Sequence, residues 1–239
     1  MNELLLIISL VFIFGGVLLS YKYFGRGGLY AMTAITTVLA NIEVLILIKA
    51  FGMEQTLGNV LFAATFLITD ILSECEGKRA ANKAVWIGVF SSLFFLGLSQ
   101  SWLLYETHSG AAVDGAFAEI FSNTTRMILT SLAVYVVSQV FDVWLYHKWW
   151  AFTEKRWGSK RKFLWLRNNG STLISQLLNS LLFTFAAFYG TYDLMTLLSI
   201  FGSGYVIFIF TSLLDTPVVY LARRIGDARK KSLLSERAI

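Results

Sequence analysis

The sequence has few of the residues that form disulfides, metal centres and ordered loops. Its 239 residues include a single cysteine, a single proline and two histidines. Cys75 cannot form an internal disulfide, and the distance in sequence between His108 and His147 does not suggest a metal-ligand cluster. The sequence also contains no glycine-rich loop ending in Gly-Lys-Ser or Gly-Lys-Thr, so direct ATP hydrolysis is not expected. We predict no metal and no cofactor.

Charged residues are also scarce. They make up 15% of the chain, whereas 56% is hydrophobic and the mean hydropathy is +0.64, outside the usual range of soluble domains. No linker rich in Ser, Gly or Pro interrupts the chain, and no repeat of solenoid length is present. The sequence therefore predicts one integral membrane domain over residues 1–239.

Seven segments are apolar enough to cross a membrane, which takes about 20 residues of helix. They are residues 4–24, 28–51, 56–75, 84–105, 121–146, 171–189 and 194–222. The first is interpreted as a retained helix, because Glu3 replaces the basic start of a signal peptide. The third is the weakest, since it is short and has a polar end, and an interfacial helix is the alternative there. We predict an all-α fold, a polytopic transmembrane helical bundle.

The basic residues indicate the orientation of this bundle. Nearly all of the 20 lysines and arginines lie within residues 22–26, 78–83, 148–167 and 223–237, which the seven spans place on one side. Short cytoplasmic loops are enriched in lysine and arginine, so we predict an external N-terminus and a basic cytoplasmic tail over residues 223–239. The net charge of +5 and the four tryptophans between 149 and 165 favour membrane lipids as partners over nucleic acid.

Several polar residues lie inside the predicted spans, where a charged group costs about 2.5 to 3.5 kcal/mol. They are Asn41, Glu43, Asp70, Glu74, Arg126, Gln139, Asp142, Gln176, Asn179 and Asp215. Spacings of three or four residues place several of them on common helix faces, such as Asp70 with Glu74 and Gln139 with Asp142. We interpret these faces as the lining of a hydrated substrate cavity.

Each of these residues also has a purely structural interpretation. Asp142, Glu74 and Asp215 could reach headgroup water or pair with loop cations, and Glu43 could pair with Arg126 near the outer face. Asn41 and the polar residues of the sixth span could form interhelical hydrogen bonds worth about 0.6 kcal/mol each. The number of polar groups exceeds what packing requires, which favours the cavity.

One motif and its companions resemble a known family. Thr69-Asp70-Ile71-Leu72-Ser73-Glu74, followed by Gly77-Lys78 and residues 83–88, resembles the queuosine precursor transporter family, also called the vitamin uptake transporter family. Further matches are Ala40-Asn41, Arg126, Gln139, Asp142, Ser171-Thr172, Gln176, Asn179, Leu214-Asp215-Thr216-Pro217 and Tyr220. The first span lies outside the resemblance, so residues 1–24 are predicted to be an extra helix beside six family spans.

The resemblance implies import of 7-cyano-7-deazaguanine, 7-aminomethyl-7-deazaguanine or queuine for tRNA modification. It implies substrate contacts from Asn41, Asp70, Glu74, Arg126, Gln139, Asp142, Gln176, Asn179 and Asp215. We expect Asp70 and Asp142 to accept hydrogen bonds from the guanine-like edge, and Tyr205 or Phe183 to stack on the ring. The sequence departs from the family at Asn179, where an aspartate is common, and at Ile207 or Phe208, where many members have a lysine.

Other functions remain as alternatives. The nearest is the substrate-binding subunit of an energy-coupling-factor importer for a vitamin or nucleobase, which has a similar size but needs ATPase partners. An intramembrane enzyme is disfavoured, because Asp193 lies in a predicted outer loop and no Ser/His pair suits a catalytic dyad. A structural protein would not need its interior carboxylates. The sequence leaves open whether the chain forms a homo-oligomer.

Overall fold

The computed structural model describes residues 1–105, 121, 125–159 and 161–236, with the backbone alone at 125, 126, 233, 234 and 236. The elements are α1 Asn2–Glu43, β1 Leu47–Ala50, β2 Met53–Thr56, α2 Gly58–Cys75, α3 Lys78–Trp102, α4 Thr125–Trp157, α5 Leu164–Phe188 and α6 Leu194–Glu236. The six helices of the described residues are all long and apolar enough to cross a membrane. The predicted helical membrane fold is confirmed. Glu106, His108, Asp114 and Glu119 lie outside the described residues.

Helix α1 contains the first two predicted spans. Its dihedrals break at Gly25, where φ is 62° and ψ is −141°, a backbone conformation open essentially to glycine alone. A Cβ atom on Gly16 would lie 3.8 Å from Cε of Met32, although a straight helix would separate these residues by about 24 Å. The Asn2 side chain also donates to the Lys49 carbonyl at 2.8 Å. The chain therefore reverses at Gly25, and the two halves pack as a helical hairpin.

A β-hairpin replaces the predicted end of the second span. The helix stops at Glu43 and strand β1 pairs antiparallel with β2, so Lys49 faces Glu54 across the hairpin. Phe51 and Gly52 form the turn with φ values of 54° and 74°, the backbone of a tight two-residue hairpin turn. The prediction of helix over residues 47–51 is wrong, because a short apolar run has no periodicity that separates helix from strand.

Helix α2, the weakest predicted span, is the central helix of the bundle. It packs against α1, α3, α4 and α6, and 89% of its span is buried, against 22 to 50% for the other five helices. Leu67, Ile68 and Ile71 are fully buried in the main hydrophobic core. The alternative of an interfacial helix is wrong, since the polar residues of α2 face protein and not headgroups.

Four helices, α3 to α6, extend beyond their predicted limits at the same end of the bundle. Helix α5 begins at Leu164, so Arg167 lies in its first turn, and α6 continues to Glu236. Arg229 of α6 donates to the Tyr21 carbonyl at 2.9 Å, and Lys230 donates to the Cys75 carbonyl at 2.8 Å. We call this end, with Arg167, Lys78 and residues 223–231, the basic end, and the end with β1 and β2 the hairpin end.

Candidate functional site

Three carboxyl groups from three helices meet in the interior of the bundle. Asp70 of α2 and Asp142 of α4 are fully buried, and Asp215 of α6 is 2% exposed. Asp70 interacts electrostatically with both of the others. Among the described residues, no lysine or arginine forms an ion pair with any of the three. We call these residues the carboxyl cluster; it combines three of the predicted site residues.

Helix α5 contributes the hydrogen-bond donors of this cluster. Thr172 donates to Oδ2 of Asp70 at 2.8 Å, and the Asn168 amide donates to Oδ1 of Asp215 at 2.7 Å. Asn168 was not predicted, because the sixth span was expected to begin at residue 171. Its spacing of four residues from Thr172 places it on the same helix face, so extending that face toward the N-terminus would have found it.

The Asp70 carboxyl lies within hydrogen-bonding reach of Asp142, but no described hydroxyl or amide group donates to either carboxylate oxygen of Asp142. Ser171 and Ser175 lie beside it, but both hydroxyls donate at 2.8 Å to carbonyl oxygens of their own helix. Oδ1 of Asp70 and Oε1 of Gln176 are also buried, and no described hydroxyl or amide group donates to them. A buried polar atom without a partner costs about 1 to 3 kcal/mol. The cluster therefore presents several unsatisfied acceptors and is complementary to a ligand with several N–H donors.

Gln139 joins α4 to α2 next to the cluster. Its amide nitrogen donates to the Thr65 hydroxyl at 2.7 Å, and its amide oxygen accepts from the Thr69 hydroxyl at 3.1 Å. Both ends of the amide are thus paired within the protein. Gln139 thus connects α2 and α4 beside Asp70 and Asp142. Its contact with substrate stays a prediction.

Asn41 is hydrogen-bonded away from the carboxyl cluster. Its amide donates to the Ser92 hydroxyl at 3.0 Å and to the Thr37 carbonyl at 2.9 Å, while its oxygen accepts from Ser131 at 3.0 Å. These contacts connect α1, α3 and α4, as expected if Asn41 forms hydrogen bonds between helices. A role for Asn41 in substrate binding stays a prediction.

Glu74 belongs to a buried ion pair toward the basic end. Its carboxylate accepts from Arg167 at 2.7 and 2.9 Å and from the Tyr146 hydroxyl at 2.8 Å, and Arg223 lies 3.4 Å away. The Arg167 guanidinium also lies 4.4 Å from the ring centre of Trp150. We call these five residues the Glu74 cluster. Their contacts match the alternative in which Glu74 pairs with a nearby cation, and substrate binding by Glu74 stays a prediction.

A pocket opens at the hairpin end of the same helices. Its cavity volume is about 40 Å³, and we call it the hairpin-end pocket. Asn179 and Phe183 line it, whereas Tyr205 packs parallel to the Phe201 ring at 6.4 Å. Gln55 of β2 also lines the pocket. Gln55 was not predicted, because it lies in a connection between spans, outside the segments searched for buried polar residues.

The pocket and the carboxyl cluster lie along the same four helices. Phe62 precedes Asp70 on α2, Val134 precedes Asp142 on α4, and Phe183 follows Thr172 on α5. Phe208, on α6, precedes Asp215. At 1.5 Å per residue the two levels are about 10 to 16 Å apart. The hairpin-end pocket, the carboxyl cluster and the Glu74 cluster therefore follow one another from the hairpin end to the basic end.

Arg126 lies in the first turn of α4, and its side chain is outside the described residues. Neither its substrate contact nor its pairing with Glu43 is therefore tested. Arg167 was counted among the loop cations, because the helix that contains it was predicted to begin later. Its burial could not be inferred from a position next to a cluster of basic residues.

A bundle of spanning helices with a polar interior and an open pocket has the architecture of a small-molecule membrane transporter. The chain belongs to the vitamin uptake transporter family, whose model, described as "Putative vitamin uptake transporter", matches residues 56–222. This region contains the carboxyl cluster and four of the five residues of the Glu74 cluster, whereas Asn41 lies before it and Arg223 directly after it. No solved structure matches the chain.

Two curated proteins are similar to this chain. It is 38% identical over 208 residues to the "Probable queuosine precursor transporter" of Bacillus subtilis (strain 168), covering 87% of this chain and 89% of that protein. It is 26% identical over 182 residues to the "Queuosine precursor transporter" of Escherichia coli (strain K12), covering 72% of each. The chain is a multi-pass membrane transporter, and these names support the prediction that it is not an enzyme.

Proposed function

We propose that this chain imports a queuosine precursor of the 7-deazaguanine type: 7-cyano-7-deazaguanine, 7-aminomethyl-7-deazaguanine or queuine. The names of its two relatives support the queuosine precursor. The unsatisfied acceptors of the carboxyl cluster support the chemical class and are the observation that carries the proposal.

The ligand and the cluster have complementary hydrogen-bonding groups. A 7-deazaguanine carries a ring N–H and an amino group side by side on one edge, and a pyrrole N–H elsewhere on the bicycle. A carboxylate only accepts, and it binds two adjacent donors as a bidentate pair. Asp142 offers two oxygens, and Asp70 one, to which no hydroxyl or amide group of the described residues donates. Adenine lacks the ring N–H on that edge, so binding adenine would leave an acceptor unpaired at a cost of about 1 to 3 kcal/mol.

The three levels of the bundle suggest a transport path. The proposed orientation places the hairpin end outside and the basic end in the cytoplasm, following the excess of lysine and arginine. Substrate would then enter through the hairpin-end pocket and bind at the carboxyl cluster. The Glu74 cluster, in which Arg167 and Glu74 are almost fully buried, would close the cytoplasmic side. Alternating access would require its ion pairs to separate while the outer pocket closes.

Ligand-dependent thermal stability of the detergent-purified chain tests this proposal. Binding to the folded state stabilises it by mass action, so at least one of the three 7-deazaguanines should raise the melting temperature, and adenine should not. Asp70→Asn and Asp142→Asn should reduce the shift, whereas Asp193→Asn, which changes an exposed carboxylate, should keep it in full. Absence of a shift with every 7-deazaguanine would contradict the proposal.

Uptake by the purified chain in liposomes distinguishes a complete transporter from the substrate-binding subunit of an energy-coupling-factor importer. A complete transporter should move labelled substrate without another protein. Binding without uptake, restored only by ATPase partners, would favour the subunit.

A further inference from the structure

The hairpin-end pocket contains a buried amide without a hydrogen-bond partner. Gln55 is 4% exposed, and neither its amide nitrogen nor its amide oxygen has a partner among the described residues. The backbone of β2 holds this residue opposite Ile48 of β1, so the hairpin fixes its position. Leaving both atoms unpaired is costly. A ligand that offers one acceptor and one donor side by side would satisfy both atoms.

The walls of the pocket are suited to a flat, aromatic molecule. Phe62, Phe183, Phe188 and Phe208 line it, and the rings of Phe183 and Phe188 meet edge to face at 5.9 Å. The pocket itself has a cavity volume of about 40 Å³, and the opening next to it, which shares Gln55 and Phe188, has about 400 Å³, within the ~300 to 1,000 Å³ of small-molecule sites. Glu54 is the one charged residue in the described lining. The pocket is therefore built for an uncharged ring with a polar edge.

The pocket continues into a second opening at the hairpin end. Gln55, Phe188 and Ile200 line both spaces, and Lys49, Tyr192 and Ser203 line the outer one. A molecule that enters there meets the Gln55 amide before it can reach the carboxyl cluster, about 10 to 16 Å further along the helices. Gln55 is thus placed to contact the substrate first.

We propose that the hairpin-end pocket is a second substrate site, in which the Gln55 amide pairs with the lactam edge of a 7-deazaguanine between the phenylalanine rings. A primary amide has a donor and an acceptor side by side, and a lactam edge has a carbonyl oxygen and a ring N–H in the complementary order. The carboxyl cluster is proposed to bind the ring N–H and the amino group, whereas Gln55 binds the carbonyl oxygen and the same ring N–H, so the substrate occupies the two sites one after the other. This inference rests on the proposed function.

Uptake kinetics of Gln55→Leu test the inference. Leucine keeps the approximate size of the side chain and removes both hydrogen-bonding groups, so KM for the transported 7-deazaguanine should rise about tenfold, the effect of losing roughly one net hydrogen bond. Gln100→Leu is the matched control: its amide donates to the Phe121 carbonyl at 3.2 Å and does not line the pocket. Gln100→Leu should keep the wild-type KM.

A substrate analogue without the 6-oxo group separates recognition from a structural role. The preference of wild type for the parent compound, measured as a ratio of kcat/KM values, should fall about tenfold in Gln55→Leu, because that variant no longer contacts the lactam edge. Wild type and Gln55→Leu have the same carboxyl cluster, so its contribution cancels when their kcat/KM ratios are compared. If Gln55→Leu does not fold, Gln55→Glu, which has the same shape but two acceptors, should lose the same preference.

The outcomes separate this inference from the proposed function. No uptake of any 7-deazaguanine by wild type would overturn both. The second site alone would be overturned by a different pair of results. Wild type would take up substrate and Asp142→Asn would not, while the Gln55 variants would keep the wild-type KM and the wild-type preference for the parent compound. An equal loss for both substrates would assign Gln55 to the structure of the hairpin and would also overturn the second site.

Discussion

At the scale of single residues, the buried guanidinium of Arg167 neutralises Glu74. The two side chains are 0% and 3% exposed. Removing one partner of a buried ion pair leaves the other charge uncompensated, so Arg167→Ala should lower the free energy of unfolding by about 3 to 5 kcal/mol. Denaturation of the detergent-solubilised chain measures this loss.

The ion pair between Arg161 and Asp227 provides the control. Its side chains are 67% and 44% exposed, and exposed pairs contribute less than about 1 kcal/mol. Arg161→Ala should therefore change stability little. The double variant Glu74→Ala/Arg167→Ala should be more stable than Arg167→Ala, because it removes the unpaired carboxylate as well. Equal, small losses in Arg161→Ala and Arg167→Ala would contradict a buried pair.

Asp142 should lower stability in the absence of ligand. Its oxygens are buried, no described hydroxyl or amide group donates to them, and Asp70 lies close by. In Asp142→Asn an amide replaces the carboxylate and can donate to Asp70, so the ligand-free melting temperature should rise while uptake is lost. A melting temperature below that of wild type would show that Asp142 contributes to the structure of the bundle.

The sequence predicted which polar residues lie in the interior of the bundle better than it predicted their partners. Asp70, Asp142 and Asp215 stand out because a charge within a span is costly, and all three meet in the structure. Glu74 satisfies the same criterion, but its cation lies 93 residues away. Sequence position does not show which of several basic residues will be drawn into the interior.

At the scale of elements, the reversal of α1 depends on Gly25. A residue with a Cβ atom rarely adopts this backbone conformation, and the Cβ atom would clash with the Arg229 guanidinium. Gly25→Ala should therefore destabilise the chain by at least about 1 kcal/mol. Gly27 has open space around its Cβ position, so Gly27→Ala should be neutral or stabilising. Thermal unfolding of the two variants tests this difference.

The start of α6 should be sensitive to acid. Asp193 accepts hydrogen bonds from the Thr196 side chain and from the backbone amides of Thr196 and Met195; these bonds lower the pKa of its carboxyl group. A lowered pKa stabilises the folded state at pH values above the ordinary pKa of about 3.9. This contribution disappears as the pH falls through the lowered pKa.

Asp193→Asn isolates this effect. Asparagine also caps helices well but does not titrate, so the difference in melting temperature between wild type and Asp193→Asn should shrink below about pH 4. A difference that stays constant between neutral pH and pH 3 would show that the ionised cap does not contribute.

Hydropathy found the spanning helices and missed the β-hairpin. Residues 47–51 are as apolar as the helix that precedes them, and Gly52 gave the local signal of a turn. Gln55 depends on that hairpin for its position in the pocket. A substrate contact from a short strand could not be predicted while the strand was taken for helix.

At the scale of the whole molecule, the orientation is testable with two glycines. Gly52 lies in the hairpin turn and Gly77 in the connection between α2 and α3, both with positive φ. Alkaline phosphatase, which is active only outside the cytoplasm, should be active when inserted after Gly52 and inactive after Gly77. The reverse pattern would place the basic end outside and contradict the proposed direction of import.

The arrangement of the helices was less predictable than their number. Membrane insertion requires enough apolar residues in each span, which makes spans visible in sequence. The central helix is different, because its neighbours shield it from lipid. Helix α2 could therefore have many polar residues, and for this reason it was the weakest prediction although it is the most buried helix.

The single cysteine makes this chain convenient for chemical labelling. Cys75 is 7% exposed, so membrane-impermeant maleimides should leave the wild-type chain largely unmodified. Cysteines introduced one at a time along α5, at Phe183, Asn179, Gln176 and Thr172, should then report how far water enters from the hairpin end. Protection of these positions by substrate would map its route through the bundle without a cysteine-free background.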